Sequence, residues 1–256
     1  MSRSERAILL FLLAMCAGAS DGWSFLGFGE VFVANMTGNM VLMGISIFRP
    51  HSNLLHTKAL LSGQVVHPAL ALAAYSVGVA IASYVTGKKA QAQPKVARPV
   101  EKLIWTRSVT LVLVVETVLA LGAEMAWYAN RGGAEIPPDA LMAVMAMCMG
   151  LQSGAMLQLR VPGVVTTYIT GTLTQMVQGV TRLVAGEKLE VSSQKAVYEE
   201  QLEVQAVTLA VYLLSAILTG WLFQEAPKWV GMLPVACLAT VSIWSLLRGG
   251  AYSVEK

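Results

Sequence analysis

Apolar residues along this chain come in long runs, without the every-other-residue alternation of a half-buried strand. Eight runs stand out: Ala7–Gly27, Val31–Phe48, Val66–Thr86, Val109–Tyr128, Ala140–Leu159, Val164–Val184, Val204–Phe223 and Val230–Leu247. Each has about 18–21 residues, the length that carries a helix across a hydrocarbon core of about 30 Å. Lipid offers the backbone no hydrogen bonds, so such runs must satisfy their own N–H and C=O groups, which predicts helices. The pattern therefore predicts an all-α, polytopic transmembrane bundle of six to eight helices. The first and second runs, and the fifth and sixth, are joined by very short links at Phe28–Glu30 and Arg160–Gly163. Each pair is therefore either a tight helical hairpin or a broken, re-entrant element, and the lower count applies in the second case.

Composition supports a lipid environment. Of 256 residues, 55% are hydrophobic and 13% charged, with a mean hydropathy of +0.61; a soluble domain carries about 25% charged residues. The net charge of +3 is small and the basic residues, Arg182 at the end of the sixth run apart, lie in connecting segments and at the chain ends, so no nucleic-acid-binding face is expected. Cys16, Cys148 and Cys237 all lie within apolar runs, which favours small packing residues over disulfides or metal ligands. Arg3 and Arg6 before Ala7–Met15 have the outline of a signal peptide. The run continues directly into a repeated element, however, and reads as a retained first helix. If all eight runs cross, one face receives 10 basic residues and the other 8, which leaves orientation open; the densest cluster, in 87–107, favours that segment as cytoplasmic.

An internal echo organises the rest. Cys16–Ile45 and Met149–Gln178 align without gaps at an offset of 133. They share Ser20/Ser153, Leu26/Leu159, Val31/Val164, Thr37/Thr170, Gly38/Gly171 and Met43/Met176. This predicts one membrane domain, 1–256, in two related halves, 1–128 and 129–256, running parallel if every run spans the bilayer. Gly18/Gly22 and Gly150/Gly154 are G-x-x-x-G pairs, suited to dimerisation or to tight packing of the halves on each other.

AGASDGWSFLGFGEVFVANMTGN and MGLQSGAMLQLRVPGVVTTYITGTL together resemble the YoaK-like family of bacterial and fungal membrane proteins (domain of unknown function 1275). The first family motif fits through Asp21, Thr37, Gly38 and Asn39, and the second through Gly150, Gln152, Thr170 and Gly171. Ser153 stands where that family commonly has Asn, and Gly154 where Ala is common. The resemblance implies an integral membrane protein over nearly the whole chain and supplies no substrate.

Polar groups inside the runs are the functional candidates, because a charge at the bilayer centre costs about 2.5–3.5 kcal/mol on insertion scales. Asp21 ranks first, as a site residue or as a cap on a helix break. Glu116, flanked by Val114, Val115, Thr117 and Val118, is a candidate for proton or ion coupling beside Asp21. Asn35 and Asn39, four apart, read as one helix face with Thr37 offset. Thr167, Thr170 and Thr174 form a similar stripe in the second copy. Gly38 and Gly171 read as helix breaks. Asp21, Asn35, Thr37, Gly38, Asn39, Gln152, Thr167, Thr170 and Gly171 are therefore the expected substrate-binding set, with no metal and no cofactor. Trp105, Trp127 and Trp229 near run ends fit an interfacial belt.

The leading functional expectation is a small secondary transporter or permease in a bacterial inner (plasma) membrane, handling an unidentified small solute and open to homo-oligomerisation. Two alternatives stand beside it: a membrane enzyme using Asp21, His51 and His56, and a structural or partner-binding bundle. No hydrolase, metalloprotease or phosphate-binding motif is present, so the chain is not expected to be an enzyme.

Overall fold

The computed structural model describes residues 3–46, 63–90, 105–159, 169–184 and 192–249. The described residues form helices with no strand: α1 Arg3–Gly27, α2 Met36–Ser46, α3 Gly63–Ala90, α4 Arg107–Arg131, α5 Pro138–Leu159, α6 Ile169–Val184, α7 Ser192–Glu225 and α8 Met232–Gly249, the last preceded by a 3₁₀ turn at Pro227–Trp229. The helix ends follow local chemistry. At α4, Thr106 is extended and its hydroxyl accepts from Val109 N at 3.4 Å, capping the first turn. At the other end Arg131 sits in the last turn, and Gly132 N–H returns to Ala129 O.

Six of these helices are long and apolar enough to cross a membrane: Ala7–Gly27, Gly63–Thr86, Arg107–Arg131, Pro138–Leu157, Gln201–Glu225 and Pro227–Arg248. The second and sixth apolar runs yield only α2, with 11 residues, and α6, with 16. At about 1.5 Å per residue these are about 16 and 24 Å long, short of a full crossing. Among the described residues there are thus six helices able to span and two short ones, within the expected six to eight.

Neighbouring contacts set the helix directions. Gly29 lies against His67, in the first turns of α3, and His67 Nε2 lies 3.1 Å from Asp139 Oδ1 in the first turn of α5. Trp127, near the end of α4, packs on Gly27, and its indole donates to Pro227 O at 2.7 Å. The ends of α1, α4 and α7 and the starts of α3, α5 and α8 therefore share one face of the bundle, the Pro227 face. At the opposite face Arg248 pairs with Glu5 at 3.1 Å, and Trp105 Nε1 donates to Ser245 at 2.6 Å. Trp105 and Trp127 are buried by these contacts; only Trp229 among the three expected belt residues is exposed.

The closest packing uses the glycine pairs. Gly18 lies on the backbone of Tyr212 and Gly22 on Thr219, bringing α1 against α7. Gly150 lies on Tyr75 and Gly154 on Val79 and Ala82, bringing α5 against α3. A Cβ at Gly18 or Gly150 would run into a backbone carbonyl oxygen, of Tyr212 and Tyr75 respectively. Both pairs thus serve close approach within the chain. The core between the helices holds Leu13, Trp23, Leu113, Met142, Met145, Met149 and Leu238. The outer faces of α3, α4 and α7 expose Val77, Ile81, Val118, Leu214, Ile217 and Trp221, the apolar surface a bundle presents to lipid.

Candidate functional site: a cavity where two short helices begin

After α1 the chain turns sharply. Gly29 and Glu30 adopt positive φ values of 87° and 62°, and residues 31–35 are non-helical before α2 starts at Met36. Non-helical backbone inside a bundle leaves donors that neighbouring residues do not satisfy. Asp21 supplies the acceptor. Its Oδ1 takes N–H bonds from Val33 (2.9 Å), Ala34 (2.7 Å) and Asn35 (3.3 Å), and its Oδ2 accepts the Tyr212 hydroxyl at 2.6 Å. Asp21 is therefore the buried brace of the break, tying α1, the extended segment and α7 together.

The amides on this element behave differently from a shared helix face. Asn35 precedes α2 and caps it, its Oδ1 accepting from Gly38 N at 3.2 Å. Asn39 is fully buried and folds back on the extended segment. Its Nδ2 donates to Phe32 O at 2.6 Å and its Oδ1 accepts from Phe32 N at 2.9 Å. Asn35 and Asn39 thus divide the work of holding the break. Gly38 occupies the third position of α2, so the first break precedes it, and Gly171 is the third described residue of α6. Gly38 packs closely on Phe32, where a Cβ would be crowded.

A cavity of about 580 Å³ lies between the starts of the two short helices. From the first half it is lined by Ala34, Asn35, Met36 and Thr37, and from the second by Ile169, Thr170, Gly171 and Thr174. Tyr75 and Tyr212 complete the wall. Tyr75 lies twelve residues into α3 and Tyr212 thirteen before the end of α7, about 18–20 Å from the Pro227 face, so the cavity sits near mid-depth. The two tyrosines are held alike: Tyr212 donates to Asp21 on α1, and Tyr75 donates to Ser153 on α5 at 2.7 Å. Among the described lining residues none is charged; the polar groups are hydroxyls and one carboxamide.

Of the residues expected from sequence, Asn35, Thr37, Thr170 and Gly171 line this cavity. Asp21, Gly38 and Asn39 stand behind it as supports. Gln152 is buried in α5 and donates to Leu13 O at 3.1 Å, joining α5 to α1 away from the lining. Thr167, Arg160, His51 and His56 lie outside the described residues. Sequence reasoning missed Tyr75 and Tyr212, which sit in long helices outside the repeated element; the only signal was an aromatic hydroxyl at the centre of each apolar run.

The family described as protein of unknown function (DUF1275) matches residues 9–244 of this chain. The chain belongs to the DUF1275 family. A DUF1275 relative, UPF0700 transmembrane protein YoaK of Bacillus subtilis (strain 168), is 26% identical over 244 residues, covering 95% of each chain. No solved structure matches the chain. Family membership, the transmembrane relative and six apolar helices together make this DUF1275 chain a multi-pass integral membrane protein in contact with a lipid bilayer.

Proposed function

We propose that the protein is a small secondary transporter or permease, and that its solute binds in the mid-depth cavity between α2 and α6. The observation that carries this reading is the cavity itself, walled by the first residues of two short helices that start at Met36 and Ile169, 133 positions apart. Broken elements meeting near the middle of a membrane bundle are a recurring construction of transporter sites. Hydroxyls from Thr37, Thr170 and Thr174, the Asn35 carboxamide and two tyrosine rings suit a small, uncharged polar solute. The reading involves no enzymatic step.

We further infer that 1–128 and 129–256 are inverted repeats. In support, α1 packs on α7 as α5 packs on α3, α1 packs on α8 as α5 packs on α4, and α2 packs on α3 as α6 packs on α7. The glycine pairs and the tyrosine bonds obey the same exchange, with Gly18 and Asp21 matching Gly150 and Ser153 at an offset of 132. Three spans per half reverse the second half relative to the first. The first short element then leaves and returns to the Pro227 face, and the second does so at the Arg248 face.

That topology redistributes charge. The Arg248 face receives Arg3, Arg6, Lys88, Lys89, Lys95, Arg98, Lys102, Arg107, Arg160, Arg182, Lys188, Lys195, Arg248 and Lys256. The Pro227 face receives Arg49, Lys58, Arg131 and Lys228. By the positive-inside rule this asymmetry supports a cytoplasmic Arg248 face for the protein in a plasma membrane. Reporter fusions at the C-terminus and after Lys228 should report opposite sides, cytoplasmic and external; the same side for both would sink this topology.

Transport is tested in proteoliposomes with a panel of radiolabelled polyols, small amides and simple sugars. Saturable uptake of at least one is expected. Asn35→Ala and Thr170→Val should each weaken it about 3–10-fold, the value of one uncharged hydrogen bond. Uptake by neither panel nor variants above empty vesicles would count against the reading.

A further inference from the structure

Glu116 plays no part in the cavity or in the break. It faces the bundle centre from α4, is fully buried, and neither carboxyl oxygen has a hydrogen-bond partner among the described residues. A buried carboxyl without a donor is costly and persists where it has a task. The titratable groups facing it are two thiols from two other helices, with a third thiol beyond them. Cys16 on α1 and Cys148 on α5 lie within electrostatic range of Glu116, and Cys237 on α8 lies within range of Cys16. The Cys148 thiol donates to the backbone carbonyl of Glu116 at 3.8 Å. No described group of three His, Cys, Asp or Glu side chains could hold a metal ion, so a proton is the ligand that suits this centre.

A polar track leads from it toward the Pro227 face. Glu124 lies eight residues along α4, about 12 Å away on the same face, and is also fully buried, with its Oε2 against Gly231. The Trp23 ring packs on Gly231 as well. Ser20 lies one turn from Cys16 on α1. The Ser20 hydroxyl is buried beside the Cys16 thiol, and the Trp23 indole N–H is buried with no hydrogen-bond partner among the described residues. Between Glu116 and Glu124, α4 presents the small, buried Ala120.

We propose that Glu116 is a proton-exchange site at the bundle centre, reached from the Pro227 face along a track marked by Glu124, Trp23 and Ser20. One proton passes from water to the Glu124 carboxyl and on to the Glu116 carboxylate, and returns by the same route, with no change of oxidation state. Driving the solute of the central cavity with this proton rests on the transport reading; the exchange site does not.

The test treats the wild-type protein in nanodiscs with dicyclohexylcarbodiimide, which adds to protonated carboxyls in apolar surroundings, and maps adducts by peptide mass spectrometry across pH. A Glu116 adduct that declines as pH rises is expected. It should be lost in Glu116→Gln and should form at least several-fold more slowly in Glu124→Gln. The absence of a Glu116 adduct at every pH, or an adduct indifferent to pH, overturns the site. An unchanged rate in Glu124→Gln overturns the route. Because labelling needs no solute, a failed uptake panel leaves this result standing, and failed labelling leaves uptake standing.

Discussion

Replacing Asp21 with alanine is expected to unseat the start of α2 and to lower stability by about 5 kcal/mol. Three backbone N–H groups, of Val33, Ala34 and Asn35, and the Tyr212 hydroxyl lose their acceptor at once. Each buried donor left unsatisfied costs about 1–3 kcal/mol. The segment has no helical alternative ready, because Gly29 and Glu30 turn the chain with positive φ before it. Asp21→Asn keeps one oxygen for the backbone donors and is expected to cost less than half as much. Tyr212→Phe removes a single bond and is expected to cost about 1 kcal/mol. Thermal unfolding in detergent gives the ranking, and hydrogen exchange of residues 28–46 locates it. Should Asp21→Ala melt like the parent and leave exchange in 28–46 unchanged, the brace assignment is wrong.

Gly150→Leu is expected to be the most damaging single substitution in the spans. Even a Cβ at this position meets Tyr75 O and crowds Val79 N, both backbone atoms of α3 that no rotamer change can move aside. The α5–α3 contact must open, with loss of the packing that buries Met149 and Ser153. Overpacking against flexible side chains costs about 1–3 kcal/mol, and a backbone obstacle places this change at or above the upper end. Gly122 and Gly220 are internal controls, since a Cβ at either meets nothing within 4 Å. Both lie in spanning helices, and alanine there should be neutral or slightly stabilising. Expression as a monodisperse species with thermal melting separates the outcomes. Equal behaviour of Gly150→Leu and Gly122→Ala would remove the basis for the close α3–α5 approach.

These two residues mark how far the sequence could be read. Gly150 and Gly154 announce a close helix contact through their spacing, but the spacing does not name the partner helix; Tyr75 and Val79 on α3 are identified by position in space. Asp21 is conspicuous because an acid inside an apolar run is expensive. Whether it serves a ligand or the backbone depended on where residues 33–35 run, and those lie twelve to fourteen positions away. The amide pair Asn35 and Asn39 had the right spacing for one helix face, yet Asn35 ended outside the helix because the break placed the first turn at Met36. Glu116 was legible as an orphan because no basic residue lies near the middle of any apolar run. The thiols beside it, Cys16 and Cys148, come from two other helices and share no sequence pattern with it.

The sequence by itself determined the solvent and the class of fold. Runs of about twenty apolar residues with few charges must lie in lipid, and backbone in lipid must be helical. It also determined the family and the matching positions of the two short elements. Hydropathy could not decide whether those elements are broken, because a broken segment and a crossing segment bury equally apolar side chains. That decision belongs to polar groups supplied from elsewhere, Asp21 and Asn39 for the first break, and to the helix directions set by Gly29 against His67 and Glu5 against Arg248. In the topology proposed above, six spans in place of eight reverse one half relative to the other, and a nearly even charge count becomes a strongly biased one. The cavity followed only from the tertiary structure, since its walls join residues as distant as Asn35, Tyr75, Thr170 and Tyr212.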